Sequence, residues 1–212
     1  MQCFFIGKTL LRFRINLIDV IEKRVATLQE RIRNKQISKW WTEGEFAMRI
    51  GESIAPPEFE PHYDITLSLS PTNWGGVLPR GKGLGELRRA LEEANQKLKT
   101  FRSGRSSSFI DLGLWSQGLP KGPPLFPVLA EVKDLASYDH STTKDIALVK
   151  GIEQDLERLS ILLESRVAEN VCFFYSEIVG SKRFDSILHP YTNTVRIFPL
   201  HVPTGWLNVW WQ

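Results

Sequence analysis

Two apolar runs, each broken by a single carboxylate and separated by a proline- and glycine-rich stretch, constrain this chain more than any other feature. The first reads Phe109-Ile110-Asp111-Leu112-Gly113-Leu114-Trp115 and the second Pro127-Val128-Leu129-Ala130-Glu131-Val132-Lys133. Both have the length and residue types of buried strands, and Gly118, Pro120, Gly122, Pro123 and Pro124 between them mark a turn. A carboxylate inside such a run is costly to bury unless it is paired or binds a cation. Residues i and i+2 of a strand share a face, so Lys133 stands over the same spot as Glu131. An amphipathic helix follows, with Thr142-x-x-Asp145 suited to cap it and Val149, Ile152, Leu156, Leu159 and Leu163 as its core face.

Two carboxylates and an ammonium gathered at the ends of neighbouring strands can hold a divalent cation and a water on one phosphate. Hard oxygens suit Mg²⁺ or Mn²⁺, and Mg²⁺ takes one or two carboxylates plus waters and substrate phosphate. The main-chain carbonyl of Val132 lies between Glu131 and Lys133 and is a further candidate ligand. The bland reading is that a Glu-x-Lys on a strand is a surface cross-strand charge pair, worth under about 1 kcal/mol. Against it, the order of Asp strand, Glu-x-Lys strand and helix is more specific than any one element. The metal reading requires the Asp111 and Glu131 carboxylates within about 4 to 5 Å of one another, sharing a cation. Side chains pointing apart would instead indicate cross-strand charges in an unrelated α/β domain.

Over residues 105 to 176 the chain resembles the PD-(D/E)xK nucleases of the restriction-endonuclease-like fold, with Asp111, Glu131 and Lys133 at the three motif positions. Ile110 stands where the name-giving proline would be, a position at which other residues are common in that superfamily. The resemblance implies a metal-dependent endonuclease that hydrolyses DNA, or in some members RNA, leaving a 3′-hydroxyl and a 5′-phosphate. Asp111 and Glu131 would hold Mg²⁺ (or Mn²⁺), and Lys133 would activate or position water. A glutamate from an N-terminal helix often completes such a site; Glu45 is the first choice, and Glu52 shares its face at i+7. The superfamily also contains members without activity, so the alternative is a non-catalytic protein of the same fold that binds nucleic acid or a protein partner.

The rest of the chain is consistent with a single α/β domain over 1–212, comprising a helical N-terminal part (1–60) and a catalytic core (61–212) with a mixed central sheet flanked by helices. Ile18, Ile21, Val25, Leu28 and Ile32 mark a helix over 10–35, and a second helix over 42–54 ends before Pro56-Pro57. Alternation predicts a strand over 62–69, and Leu87, Leu91, Ala94, Leu98 and Phe101 mark another helix. Strands over 171–175 and 194–200 follow the helix after the motif. Hydrophobic content of 42% and charged content of 24% exclude wholesale disorder.

Net charge is only +3, but residues 8–39 hold nine basic against three acidic residues, and residues 80–105 eight against three. Basic flanks around an acidic centre suit a polyanion; either stretch alone would equally serve as the solvated face of a helix. Candidate nucleic-acid contacts are Lys82, Lys99, Arg102 and Arg105, with Lys150 and Gln154 off the apolar stripe of the helix after the motif. Arg80 to Gly85 does not match the phosphate-loop consensus and reads as a loop over the cleft. Four histidines without metal-ligand spacing argue against zinc. Cys3 and Cys172 suggest a reduced compartment, and the interrupted apolar N-terminus is neither a secretory signal nor a membrane span, so a cytoplasmic location is expected. The aromatic stretch Trp206-Leu207-Asn208-Val209-Trp210-Trp211 suggests packing on the sheet, a homodimer contact or a base-stacking platform, with packing favoured.

Overall fold

A computed structural model describes residues 16–40, 42–66, 83–101, 109–116, 124, 126–137, 142–181 and 183–206. The first helix, α1 (Leu17–Arg33), begins where the Asn16 side chain accepts the Ile18 amide at 3.2 Å, and buries the five apolar residues of its stripe. The second, α2 (Glu43–Ile54), is capped by Thr42, whose hydroxyl accepts the Glu45 amide at 3.0 Å. The strand β1 (Phe59–Thr66) starts three residues earlier than the alternation suggests; Leu67 and Leu69 lie outside the described residues. Then come α3 (Gly83–Phe101), β2 (Phe109–Ser116), β3 (Phe126–Asp134), α4 (Thr142–Glu164), β4 (Ala168–Ile178), the short α5 (Asp185–Leu188) and β5 (Arg196–Val202).

Five strands form one sheet in the order β1-β2-β3-β4-β5. The first three run as an antiparallel meander, and β3, β4 and β5 are mutually parallel. The connections differ accordingly: α3 lies between the antiparallel β1 and β2, whereas the long α4 returns the chain to the starting end before the parallel β4. Helices cover both faces. Ala94 and Leu98 of α3, Ile152, Leu156 and Leu159 of α4 and Leu188 of α5 pack with Leu129 and Phe173 on one side. The apolar stripes of α1 and α2 pack with Leu112, Val132, Phe174 and Leu200 on the other. The N-terminal helices are thus one wall of the sheet's core rather than an appendage. The chain is therefore an α/β fold with a mixed five-stranded sheet between helical layers.

The buried stripe of α4 is Leu148, Ile152, Leu156, Leu159 and Leu162, so Val149 and Leu163 sit half-buried at its margin. This small rotation brings Asp155 and Arg158 inward. At the outer edge, the Gln29 amide of α1 clasps β5: Gln29 Oε1 accepts the His201 amide at 2.7 Å, and Gln29 Nε2 donates to the His201 carbonyl at 2.9 Å. The side chain thereby satisfies a sheet edge that would otherwise be open to another strand. Trp206 packs edge-on against Trp40 at 4.8 Å, and Trp40 stacks on Phe46 at 4.2 Å. The tail therefore begins by packing on the body, and residues 207–212 lie outside the described region. Among the described residues, no helix is long and apolar enough to cross a membrane.

Candidate active site

The ladder between β2 and β3 stops at Leu112↔Ala130, one step short of the position where Asp111 would face Glu131. There the backbone pairing is replaced: Asp111 Oδ2 accepts the amide of Val132 at 2.8 Å. On its other side, the β1–β2 ladder passes from Tyr63↔Leu112 to Ile65↔Ile110, skipping the position of Asp64, whose φ is +50°. A left-handed residue in a strand locally disrupts pairing. Asp111 thus stands at a break in both ladders, and this gives its carboxylate room to turn toward β3.

The Asp111 carboxylate lies against Glu131, close enough to raise it through both charge and a shared hydrogen bond. Glu131 is 1% exposed, and its carboxyl is held well above the usual range. Burial is the main cause; Arg158 opposes it, while Asp111 and Asp155 add to it. Arg158 Nη2 lies 2.8 Å from Glu131 Oε1 and also contacts Asp155. Glu131 Oε1 nevertheless accepts no hydrogen bond of good geometry, so the Arg158 contact is a charge pairing more than a directed bond.

Lys133, two residues along the same face, reaches both Glu43 Oε1 and Asp155 Oδ2 at 3.2 Å. Burial pulls its ammonium pKa down, but Asp155, Glu43, Asp111 and Glu131 together push it above the ordinary lysine value. It is therefore a permanent cation, a donor and charge stabiliser rather than a base. Glu43 sits in the first turn of α2 and also faces the Asp134 amide, with Oε2 3.4 Å from it. Its carboxyl is raised by burial, with Lys133 opposing and Asp111 adding. Four carboxylates (Glu43, Asp111, Glu131, Asp155) thus surround two cations (Lys133, Arg158), leaving a formal excess of two negative charges.

The glutamate that α2 delivers is Glu43 rather than Glu45. Glu45 instead pairs with Arg49 on the outer face, Oε1 to Nη2 at 2.8 Å, and Glu52 is exposed. Two residues on a helix are rotated by about 200°, so both cannot face the sheet. The Val132 amide is committed to Asp111. On α4, Lys150 is exposed and Gln154 half-buried, while Asp155 and Arg158 enter the site. The i, i+3 spacing of Asp155 and Arg158 at the edge of an apolar stripe was the available signal for them. Lys82, Arg102 and Arg105, and the side chain of Lys99, lie outside the described residues. Gly83 and Gly85 belong to the first turn of α3. Cys172 is buried, and burial pushes its thiol up to about 12, far from a thiolate nucleophile.

Among the described residues, no three His, Cys, Asp or Glu side chains converge as a metal cage. A site built on Asp111 and Glu131 would supply two carboxylates and leave the remaining positions to water and phosphate. That donor set fits Mg²⁺ or Mn²⁺, as does the excess negative charge. Against known protein families, curated proteins and solved structures, the chain finds no match.

Proposed function

We propose that this chain is a metal-dependent nuclease of restriction-endonuclease-like fold that hydrolyses DNA phosphodiester bonds. The observation that carries the reading is the meeting of Asp111 and Glu131 at a break between strands, with a protonated Lys133 on the same face. The meander, the α4 crossover and the parallel β4 are consistent with it. Asp111 and Glu131 would hold Mg²⁺ or Mn²⁺, which supplies Lewis-acid polarisation and a more acidic water. Lys133 would place its ammonium against the oxygens on which charge develops as the phosphodiester is attacked. Glu43 and Asp155 hold that ammonium between them, so its position is fixed before substrate arrives.

The second reading, a non-catalytic protein of the same fold, draws on the contact of Arg158 with Glu131: the buried carboxylate already has a counter-ion. The two readings separate on cleavage of supercoiled plasmid and of end-labelled single strands, with Mg²⁺ or Mn²⁺ and with chelator. For the nuclease, the wild type cuts only with metal, leaving 3′-hydroxyl and 5′-phosphate ends, and Glu131→Ala and Lys133→Ala abolish cutting while remaining folded. Nucleic-acid binding without cutting under any of these conditions would establish the second reading instead.

A further inference from the structure

On the outer side of the N-terminal layer, α1 and α2 enclose a cleft of about 390 Å³ lined by Arg24, Thr27 and Arg31 from one helix and Arg49, Glu52 and Ser53 from the other. Arg24 and Arg31 are seven residues apart, two turns, and so point the same way from α1. Among the described residues, neither lies within ion-pair distance of a carboxylate. Arg24 makes one long contact, 3.5 Å to the Ser53 carbonyl, and Arg31 is exposed. Arg49 faces them from α2, held at an angle by Glu45 and by the Ser38 hydroxyl at 3.3 Å. Three guanidiniums, that of Arg49 held by Glu45, line the cleft against the single carboxylate of Glu52, so the lining carries a net positive charge. The basic excess of residues 8–39 is thus partly concentrated in a cleft rather than spread over a solvated face.

We propose that this cleft binds phosphate groups of a nucleic-acid backbone, flanking the acidic centre; the identity of the polyanion rests on the nuclease reading. Guanidiniums pair with phosphate oxygens in a bidentate fork, which a point charge cannot do. Among the described residues the lining holds no aromatic ring, which suits contact to backbone rather than stacked bases and sequence-tolerant binding. The cleft shares α2 with the acidic centre: Glu43 and Arg49 are six residues apart, about 9 Å along the axis. Arg49 and Glu43 leave α2 on different sides, so a backbone held by the arginines reaches the acidic centre only by passing around that helix. The arrangement explains how a centre with excess negative charge can attract a polyanion at all.

The test is fluorescence anisotropy of fluorescein-labelled single-stranded and duplex oligonucleotides in chelator, where no cleavage occurs, across a salt series. The variants are Arg24→Gln/Arg31→Gln, the single Arg31→Gln, whose exposed side chain has no folding role, and a Lys23→Gln/Arg196→Gln control with the same charge change elsewhere. Losing two phosphate contacts should lower the salt slope by about 1.4 to 1.8 and weaken binding roughly 10- to 100-fold, with Arg31→Gln about halfway on a logarithmic scale. The control should bind like wild type. Equal binding by the double variant and wild type, or equal weakening by the control, overturns the proposal. So does inorganic phosphate displacing oligonucleotide no better from wild type than from the double variant. Plasmid cleavage with Mg²⁺ reports separately on the acidic centre: loss of cutting in Glu131→Ala with oligonucleotide binding intact keeps the two questions apart.

Discussion

At the scale of single residues, the decisive pair is Glu131 and Arg158. A carboxylate that is 1% exposed pays a desolvation cost that surface pairing never incurs, and here the guanidinium at 2.8 Å is what offsets it. Arg158 itself is held by Asp155, so the three groups form one unit linking β3 to α4. Truncating the arginine removes the group that opposes the effect of burial and leaves the Glu131 carboxyl beside Asp111 and Asp155 without that counter-ion. Arg158→Ala should therefore destabilise the fold by about 3 kcal/mol, more than a typical surface truncation. Glu131→Gln combined with Arg158→Leu, which removes both charges, should recover most of that loss. Urea denaturation of the three proteins at one pH measures it. A single and a double variant equally destabilised would mean that the arginine contributes packing rather than charge compensation.

At the scale of elements, α2 presents two glutamates to opposite surroundings, and this shows how much the sequence discloses. Glu43 meets Lys133 at 3.2 Å; Glu45 meets Arg49 in a half-exposed i, i+4 pair. On the proposed nuclease reading, Glu43→Gln should lower cleavage at least tenfold by loosening the Lys133 ammonium, whereas Glu45→Gln should leave cleavage unchanged and cost under about 0.5 kcal/mol. Initial rates on plasmid, with thermal melts of both variants, make the comparison; equal losses would detach α2 from the site. The sequence located the helix from its apolar spacing and its stop at Pro56-Pro57, but not which glutamate turns inward. That depends on the rotation of the helix about its axis, fixed by Thr42 at the cap and by Phe46 and Ile50 against the sheet. The same applies on α4, where the stripe passing through Leu148 and Leu162 instead of Val149 and Leu163 brings in Asp155 and Arg158. Asp111, Glu131 and Lys133 were legible because polar groups inside apolar strand runs require an explanation, and period-2 alternation leaves little freedom of orientation. The break at Asp64 was not legible: aspartate is among the residues that tolerate the left-handed region, but most aspartates do not adopt it.

At the scale of the whole molecule, the parallel half of the sheet carries a buried carboxylate apart from the candidate site that makes stability respond to pH. Glu177 of β4 is 5% exposed and faces His201 of β5, with 3.4 Å between Oε1 and Nδ1. Its carboxyl is raised from 4.5 to about 7, first by burial, then by the charge of Asp185, against a hydrogen bond from Tyr175 that lowers it. A raised carboxyl means that the folded chain keeps a proton the unfolded chain releases. The stabilisation from that proton is fully present below about pH 4.5 and is lost as pH rises to about 7, beyond which the change is complete. The full change is about 3 kcal/mol. Glu177→Gln removes the proton exchange and keeps the shape of the side chain. Relative to wild type, it should therefore gain about 2 kcal/mol on going from pH 5 to pH 8, since titrating groups away from Glu177 cancel in the comparison. Urea unfolding of both proteins at the two pH values, with chelator throughout, gives that difference directly. Parallel shifts in the two proteins would mean that Glu177 titrates as an ordinary carboxylate, and that water reaches the β4–β5 seam beside His201 despite the burial of the strand.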